Sequence, residues 1–417
     1  MNRRTFCTST GTATVTLAVS SCAPWTRSKS ETDLAATFPI NTPDGRRRLL
    51  DAFLQAIVTD LGPRPVGSAA YNRAIELIKP WMTRNLPKVE TDTAILDYWH
   101  LTGAPSLTIG DDPIEVFPGV NSLPTPPDGV VGILVKSAQK QVNFDIVDSS
   151  SGVTLAYIVI WPSGNARGRS VGPFGFEPRC LPLAIAGSYD KEFIEQAAAA
   201  RTPVRFISPA SFTPDVPADT LIGTITGELP DEVLFIAHLD SIYSSPGAND
   251  NAASVIAMLQ IAQAAATTGH RPRHTLRFIV SAGEEIGSIG MIHYAETRKK
   301  NGTFDRIKRS FNFDSVSWGP NIHIQTHTSG VRDIFTTIDR DLRIPGRVQA
   351  IDGDGSIIDN CPFKKTTIET IYVGSSGSDN NPYCWHRPND IVANVPKESV
   401  EITFRLFREY LRREEGI

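Results

Sequence analysis

Residues 276–290 read LRFIVSAGEEIGSIG: a strand-like run from Leu276 to Val280, a turn of small residues, and two adjacent glutamates, Glu284 and Glu285, before a helical pattern resumes at Ile289. A short apolar strand that gives out into polar residues and feeds a helix is the repeating unit of an α/β sheet. The unit recurs on both sides. Strands are expected at Val233–Ala237, Ser310–Phe313, Ile322–Thr326 and Thr367–Val373. Helices are expected at Ala252–Ala266, Ile289–Lys299, Val331–Leu342 and Lys397–Arg413. The expected fold is an α/β three-layer sandwich with a mixed, mostly parallel central sheet, plus a smaller β-rich inserted domain.

The insertion is read from a change of character. Residues 46 to about 96 carry amphipathic helical patterns, RRRLLDAFLQAIVTDLG and SAAYNRAIELIKPWMTRNL, separated by the turn-rich GPRPVGS at 62–68. From about Tyr98 to Thr213 the chain shows short apolar runs such as GVVGILVKS and VTLAYIVIWPS, broken by Pro, Gly and Asp. The expected domains are therefore 46–97 with 214–417 as the main body and 98–213 as the insertion. A length of 417 residues, 41% hydrophobic and 21% charged, accommodates both.

A formal charge of −4 and the lack of a Lys/Arg run argue against a nucleic-acid partner. The opening MNRRTFCTSTGTATVTLAVSSC pairs Arg3 and Arg4 with a short, mildly apolar stretch and a cysteine. It resembles a twin-arginine export signal, 1–21, ending in a lipobox with Cys22 as the lipidated residue; plain export without a lipid is the alternative. Cleavage would remove both arginines and move the formal charge to −6. Residues 22–45 are expected to be a tether, and the protein to be exported, periplasmic or at the cell surface, attached to a membrane through Cys22. No later apolar run reaches the roughly 18–20 residues of a spanning helix. Of Cys180, Cys361 and Cys384, the last two either form a disulfide or remain free thiols.

In open α/β sheets, ligands bind beyond the carboxyl ends of the strands. There the sequence places His238 and Asp240, Asp250 within GANDN, Glu284 and Glu285, Asp314, and His386. Each has an ordinary explanation alone, as an N-cap or a core histidine. Five strand ends delivering His or carboxylate to one edge make a nitrogen and oxygen ligand set suited to Zn²⁺, less exclusively to Mn²⁺ or Co²⁺. One zinc needs three protein ligands and a water, so this number of ligands points to two ions sharing a carboxylate, an arrangement that polarises carbonyls and generates hydroxide near neutral pH.

These residues, with GPRPVGS and WHRPND, resemble in order and spacing the co-catalytic di-zinc exopeptidases, which include secreted bacterial leucyl-type aminopeptidases, glutamate carboxypeptidases and glutaminyl cyclases. The insertion is similar to the protease-associated domain. The resemblance implies that His238 and Asp314 hold one zinc, Glu285 and His386 the other, and Asp250 bridges them. It implies that Asp240 accepts a hydrogen bond from His238, that Glu284 is the general base, and that the Asp250–Asn251 peptide is cis. The implied function is an exported aminopeptidase acting on short peptides. A one-zinc glutaminyl cyclase-like transferase and a non-catalytic binding protein on the same scaffold are the alternatives.

Two places depart from the family. Trp385 stands where a tyrosine often helps hold the oxyanion, so Trp385 itself, Tyr383 or the metals alone would carry that charge. Asp359-Asn360-Cys361-Pro362-Phe363 keeps the Asp but lacks the His of the usual Ser-Asp-His-x-Pro-Phe. Trp318 either walls the substrate pocket or packs in the core. His323 and His327 are expected to have structural or solvent roles, without partner carboxylates, and His270 and His274, flanking a Pro-containing loop, to be similarly unremarkable.

Overall fold

The computed structural model describes residues 38–172, 175–344, 347–377 and 384–417. The expected signal at 1–21, the tether up to residue 37 with Cys22, and Tyr383 lie outside the described residues. Packing begins earlier than the expected end of the tether. Phe38 and Ile40 are buried, and the first helix, Pro43–Leu54, opens with proline behind the Thr42 cap, whose side chain accepts from the Gly45 amide.

Period-2 geometry explains the central layer. Along the strand Leu229–His238, Val233, Phe235 and Ala237 enter one hydrophobic core while Leu234 and Ile236 enter another. A strand buried on both faces needs apolar residues at every position rather than alternation, and VLFIA supplies them. One face is covered by Pro43–Leu54, Ala69–Asn85, Ala253–Thr267, Ser329–Leu342 and Lys397–Tyr410, the other by Ile289–Lys300. Ala253–Thr267 is buried around its whole circumference through Ala265, as its mostly apolar sequence allows.

Among the described residues the sheet has eight strands in the order Lys88–Leu101, Ala210–Ile225, His274–Ser281, Leu229–His238, Ile307–Phe313, Glu369–Ser376, Asn321–Gln325, Arg347–Ile351. Four of the seven pairings are parallel, and they include the three that join the central strands. The carboxyl ends of those central strands therefore lie along one edge. Beneath them Phe235, Phe311, Phe313, Phe335, Phe407 and Tyr410 interlock, with ring centroids 4.6 Å apart for Phe313 and Phe407 and 5.0 Å for Phe335 and Phe407. Truncating a fully buried ring of this kind to alanine costs about 3–5 kcal/mol.

A second sheet, nine-stranded among the described residues, runs from Ser106 to Ile207 with its own core around Ile146, Ile158, Ala184 and Phe206. It lies inside the expected 98–213. The residues at either end of that span belong to a two-stranded ribbon, Lys88–Leu101 against Ala210–Ile225, that forms the edge of the first sheet.

Candidate metal centre

Each central strand presents its polar ending at the same edge. His238 is the last residue of its strand and fully buried. The next parallel strand ends at Ser281, and the left-handed Gly283 (φ 71°) turns the chain so that Glu284 and Glu285 follow. Asp314 directly follows Phe313, and Asp250 lies just ahead of the helix Ala253–Thr267. His386 arrives from the segment after Glu369–Ser376.

These side chains form two clusters with one common member. His238, Asp250 and Asp314 bring ligand atoms within 4.8 Å of one another, and so do Asp250, Glu285 and His386. In the first cluster His238 Nε2 lies 3.4 Å from Asp250 and 3.9 Å from Asp314. In the second, His386 Nε2 is 3.2 Å from Asp250 and 3.0 Å from Glu285. Glu284 belongs to neither, yet its carboxylate stands 3.8 Å from His238 Nε2.

A metal ion fits this donor set. His238 Nε2 and Glu285 Oε1 are buried without a hydrogen-bond partner, a costly state for a polar atom unless a cation meets it. Two imidazoles with carboxylate oxygens are the ligands zinc takes. The electrostatics agree. Burial pushes the Asp250 carboxyl upward, but the imidazoles of His238 and His386 outweigh it and hold Asp250 below the usual carboxylate range. Burial alone would lower His386; Glu285 and Asp250 overcome it and hold the imidazole at about 9. Glu284 moves the other way. Burial raises it well above the usual range, His238 opposes this, and Glu285 and Asp314 add to the rise.

The supporting shell is built mostly from backbone. His238 Nδ1 meets the carbonyl of Asp240 at 3.0 Å, while the Asp240 carboxylate is 3.7 Å away. The acceptor on Asp240 is thus its main-chain carbonyl. The carboxylate has other partners: it accepts from the amides of Gly283, Glu284 and Glu285 at 2.9, 3.2 and 3.2 Å, which orients both glutamates. Asp390, in WHRPND, accepts from the amides of Asn249 and Asp250. Asn251 donates to the Phe313 carbonyl and accepts from the Ser315 amide, linking the Asp250 loop to the Asp314 strand end. The Asp250–Asn251 peptide is cis.

Sequence reasoning missed two supports. Arg64, within GPRPVGS, is fully buried and donates to the carbonyls of Leu239, Pro246 and Gly247, so one guanidinium gathers the loop between His238 and Asp250. Its burial lowers its pKa to about 10, with Asp390 and Asp240 pulling it back up. The buried Gly168, from the inserted unit, offers its carbonyl to His386 Nδ1 at 2.8 Å, and its amide donates to the His386 carbonyl at 3.2 Å. An arginine in a glycine-proline turn is a usable sequence signal; a glycine carbonyl from a distant segment leaves none.

The centre opens into a cavity of about 540 Å³, lined among others by Arg169, Glu284, Ile286, Ile358, Cys361 and Trp385. Trp385 packs against His386 with ring centroids 4.2 Å apart. Trp318 is half-buried, does not line this cavity, and donates its amide to Ser375. Asp359 is fully buried and accepts from the Ser281 hydroxyl. Cys180, Cys361 and Cys384 are free thiols, so the disulfide alternative does not hold. His327 does face a carboxylate, Asp352, at 3.1 Å, and His274 faces Glu415 at 3.1 Å; neither belongs to the two ligand clusters. His323 bonds Ser376.

Residues 220–411 match the model of Peptidase family M28. The chain is similar to leupeptin-inactivating enzyme 1 of Streptomyces exfoliatus, 28% identical over 193 residues, which is 42% of this chain and 43% of that one. It is also similar to the probable lipoprotein aminopeptidase LpqL of Mycobacterium tuberculosis, 24% identical over 76% of this chain and 67% of the relative. The chain thus spans less than half the length of the first of these. Among solved structures it shares the fold of BSAP, a zinc aminopeptidase from Bacillus subtilis, with a TM-score of 0.67 and 18% identity over 89% of this chain and 95% of that one.

Proposed function

We propose, from the match of residues 220–411 to the model of Peptidase family M28, that the chain is a zinc aminopeptidase that removes the first residue of short peptides. One observation carries the reading: two ligand clusters share Asp250, and Glu284 stands 3.8 Å from His238 without belonging to either. His238, Asp250 and Asp314 would hold one zinc, and Asp250, Glu285 and His386 the other. Bound there, the ions supply Lewis acidity and a hydroxide source near neutral pH.

The side chains do the rest. Glu284, its carboxyl raised by burial, takes a proton from water as the oxygen bonds to the scissile carbonyl carbon, and returns it to the amine nitrogen as the C–N bond breaks. Asp240 holds Glu284 and Glu285 at their angles through three amides. Nδ1–H of His238 and of His386, donating to the carbonyls of Asp240 and Gly168, fixes each tautomer and leaves each Nε2 lone pair free. Trp385, against His386 at the cavity wall, is positioned to help carry the developing oxyanion in the role usually filled by tyrosine. Two clusters rather than one favour this over a one-zinc cyclase.

The nine-stranded unit is read as a protease-associated-like insertion. Export with a lipid on Cys22 is supported by the opening motif and by the similarity to a relative described as a lipoprotein. No described helix is long and apolar enough to cross a membrane. The test is Glu284→Gln. The variant keeps two zinc ions per chain by elemental analysis and loses about 10²–10⁴-fold in turnover of aminoacyl reporters. Near-wild-type turnover would remove Glu284 from the chemistry.

A further inference from the structure

Arg169 sits in the wall of the cavity beside the metal centre, and it comes from the inserted unit rather than from the sheet that supplies the ligands. Among the described lining residues it is the only one with a permanent positive charge. Its guanidinium lies 4.8 Å from the centre of the Trp385 ring and 5.6 Å from that of Trp161. Its Nε is buried without a hydrogen-bond partner. Four carboxylates, Asp250, Glu284, Glu285 and Asp314, line the same cavity, yet among the described contacts Arg169 pairs with none of them.

The surroundings hold that charge in place without satisfying it. Trp161 and Trp385 meet edge to face at 5.7 Å and clasp a second guanidinium, Arg167, at 5.0 and 5.3 Å. Arg167 is itself buried, and its one described hydrogen bond runs to the Ser163 carbonyl. Arg387 completes the group; its carboxylate partner is Glu115, at 3.1 Å. Three guanidiniums therefore share one described acidic partner, and the one facing the cavity has none. Stacking fixes the plane of an arginine while leaving its edge N–H groups free, and that edge matches a carboxylate.

We infer that Arg169 is a specificity-determining residue that binds a substrate carboxylate, either the free α-carboxylate of a dipeptide or an acidic side chain one residue beyond the scissile bond. The inference rests on the aminopeptidase reading and narrows it to short peptides that carry a negative charge near the cut. A cavity of about 540 Å³ has the size of a small-ligand cleft, roughly 300–1,000 Å³.

The experiment compares three substrates on the zinc-loaded enzyme: dileucine, dileucine amide, and leucyl-glutamate amide. The wild type is expected to favour dileucine over its amide by about tenfold or more in kcat/KM, expressed in KM, as loss of a charge-assisted contact requires. Arg169→Met keeps an apolar stem against Trp385. It should abolish the preference while leaving kcat on dileucine amide within about twofold, and Arg169→Lys should restore part of it. Recovery with leucyl-glutamate amide identifies a side-chain carboxylate as the ligand; no recovery identifies the α-carboxylate. Calorimetric binding of dileucine and its amide to the zinc-loaded Glu284→Gln protein reads the same preference without turnover. Absence of hydrolysis of all three substrates would count against the aminopeptidase reading alone. Equal affinity for acid and amide, binding of neither, or an unchanged preference in Arg169→Met would overturn the carboxylate site.

Discussion

The contact between Gly168 and His386 permits a sharp test, because it joins a ligand to a segment that supplies no ligand of its own. A Cβ built on Gly168 would lie 2.2 Å from Ser244 Oγ and 3.2 Å from Ile242 Cδ1, where real Cβ contacts stay above 3.0 Å. About 0.8 Å must therefore be opened. Ser244 is poorly placed to give way, since its hydroxyl donates to the His386 carbonyl at 3.0 Å. The displacement falls on the Gly168 carbonyl, and a 2.8 Å bond to Nδ1 stretched by that amount is no longer a hydrogen bond. Loss of such a support typically weakens metal affinity by about 10–100-fold. Overpacking adds about 1–3 kcal/mol of destabilisation.

Gly168→Ala should thus lose one zinc and keep the other. The assay is zinc content per chain after dialysis against graded chelator. The wild type should hold two ions across a range in which the variant holds one, and the ion that stays should depend on Asp314. Adding Ser244→Ala, which removes the clashing oxygen, should recover part of the affinity. A Gly168→Ala protein that keeps both ions with unchanged affinity would refute the role given to this carbonyl.

Arg64→Met leaves three carbonyls without their donor, two of them buried and worth about 1 kcal/mol or more each, so the urea midpoint should fall by the equivalent of at least about 2 kcal/mol with little change in slope. Zinc affinity should fall as pH falls. His386 must lose a proton to offer Nε2 to a metal, and its neighbours hold the proton-bound form up to about 9, so apparent affinity should rise with pH toward that value. Calorimetry in buffers of different ionisation enthalpy should detect the released proton at pH 7, and no release would contradict this. Asp240→Asn weakens the acceptor shared by three amides without touching a ligand. Turnover should drop by about tenfold or more with zinc content unchanged, and an unaltered kcat would show that the glutamates orient themselves.

Legibility followed the range of the interactions. VLFIAHLD and FIVSAGEE could be read because a strand buried on both faces must be apolar throughout and because ligands gather where such strands end. Lys88–Leu101 escaped detection as a strand because KVETDTAILDYWHL is a ribbon at the sheet edge, with polar residues on its exposed side. Arg347–Ile351 is an edge strand of five residues, too short and too polar to declare itself. For Asp240, sequence reasoning named the residue but not the atom, since main-chain and side-chain oxygens of one residue are indistinguishable at that level. Arg169 and Gly168 were invisible because they come from a distant segment, Gly168 meeting His386 across 218 residues of chain.

The ribbon that carries the chain out of the main body and back has a consequence for modularity. Its strands pair from Lys88 with Thr224 to Leu101 with Ala210, so the two chain ends of the insertion emerge side by side and already in register. Everything between can be exchanged for a different unit without the host sheet changing its alignment, which makes the ribbon a natural graft point. The chemistry is less forgiving than the architecture. Any replacement must restore a carbonyl to His386 and a wall to the cavity, so a swapped chain can fold faithfully and still lose the centre.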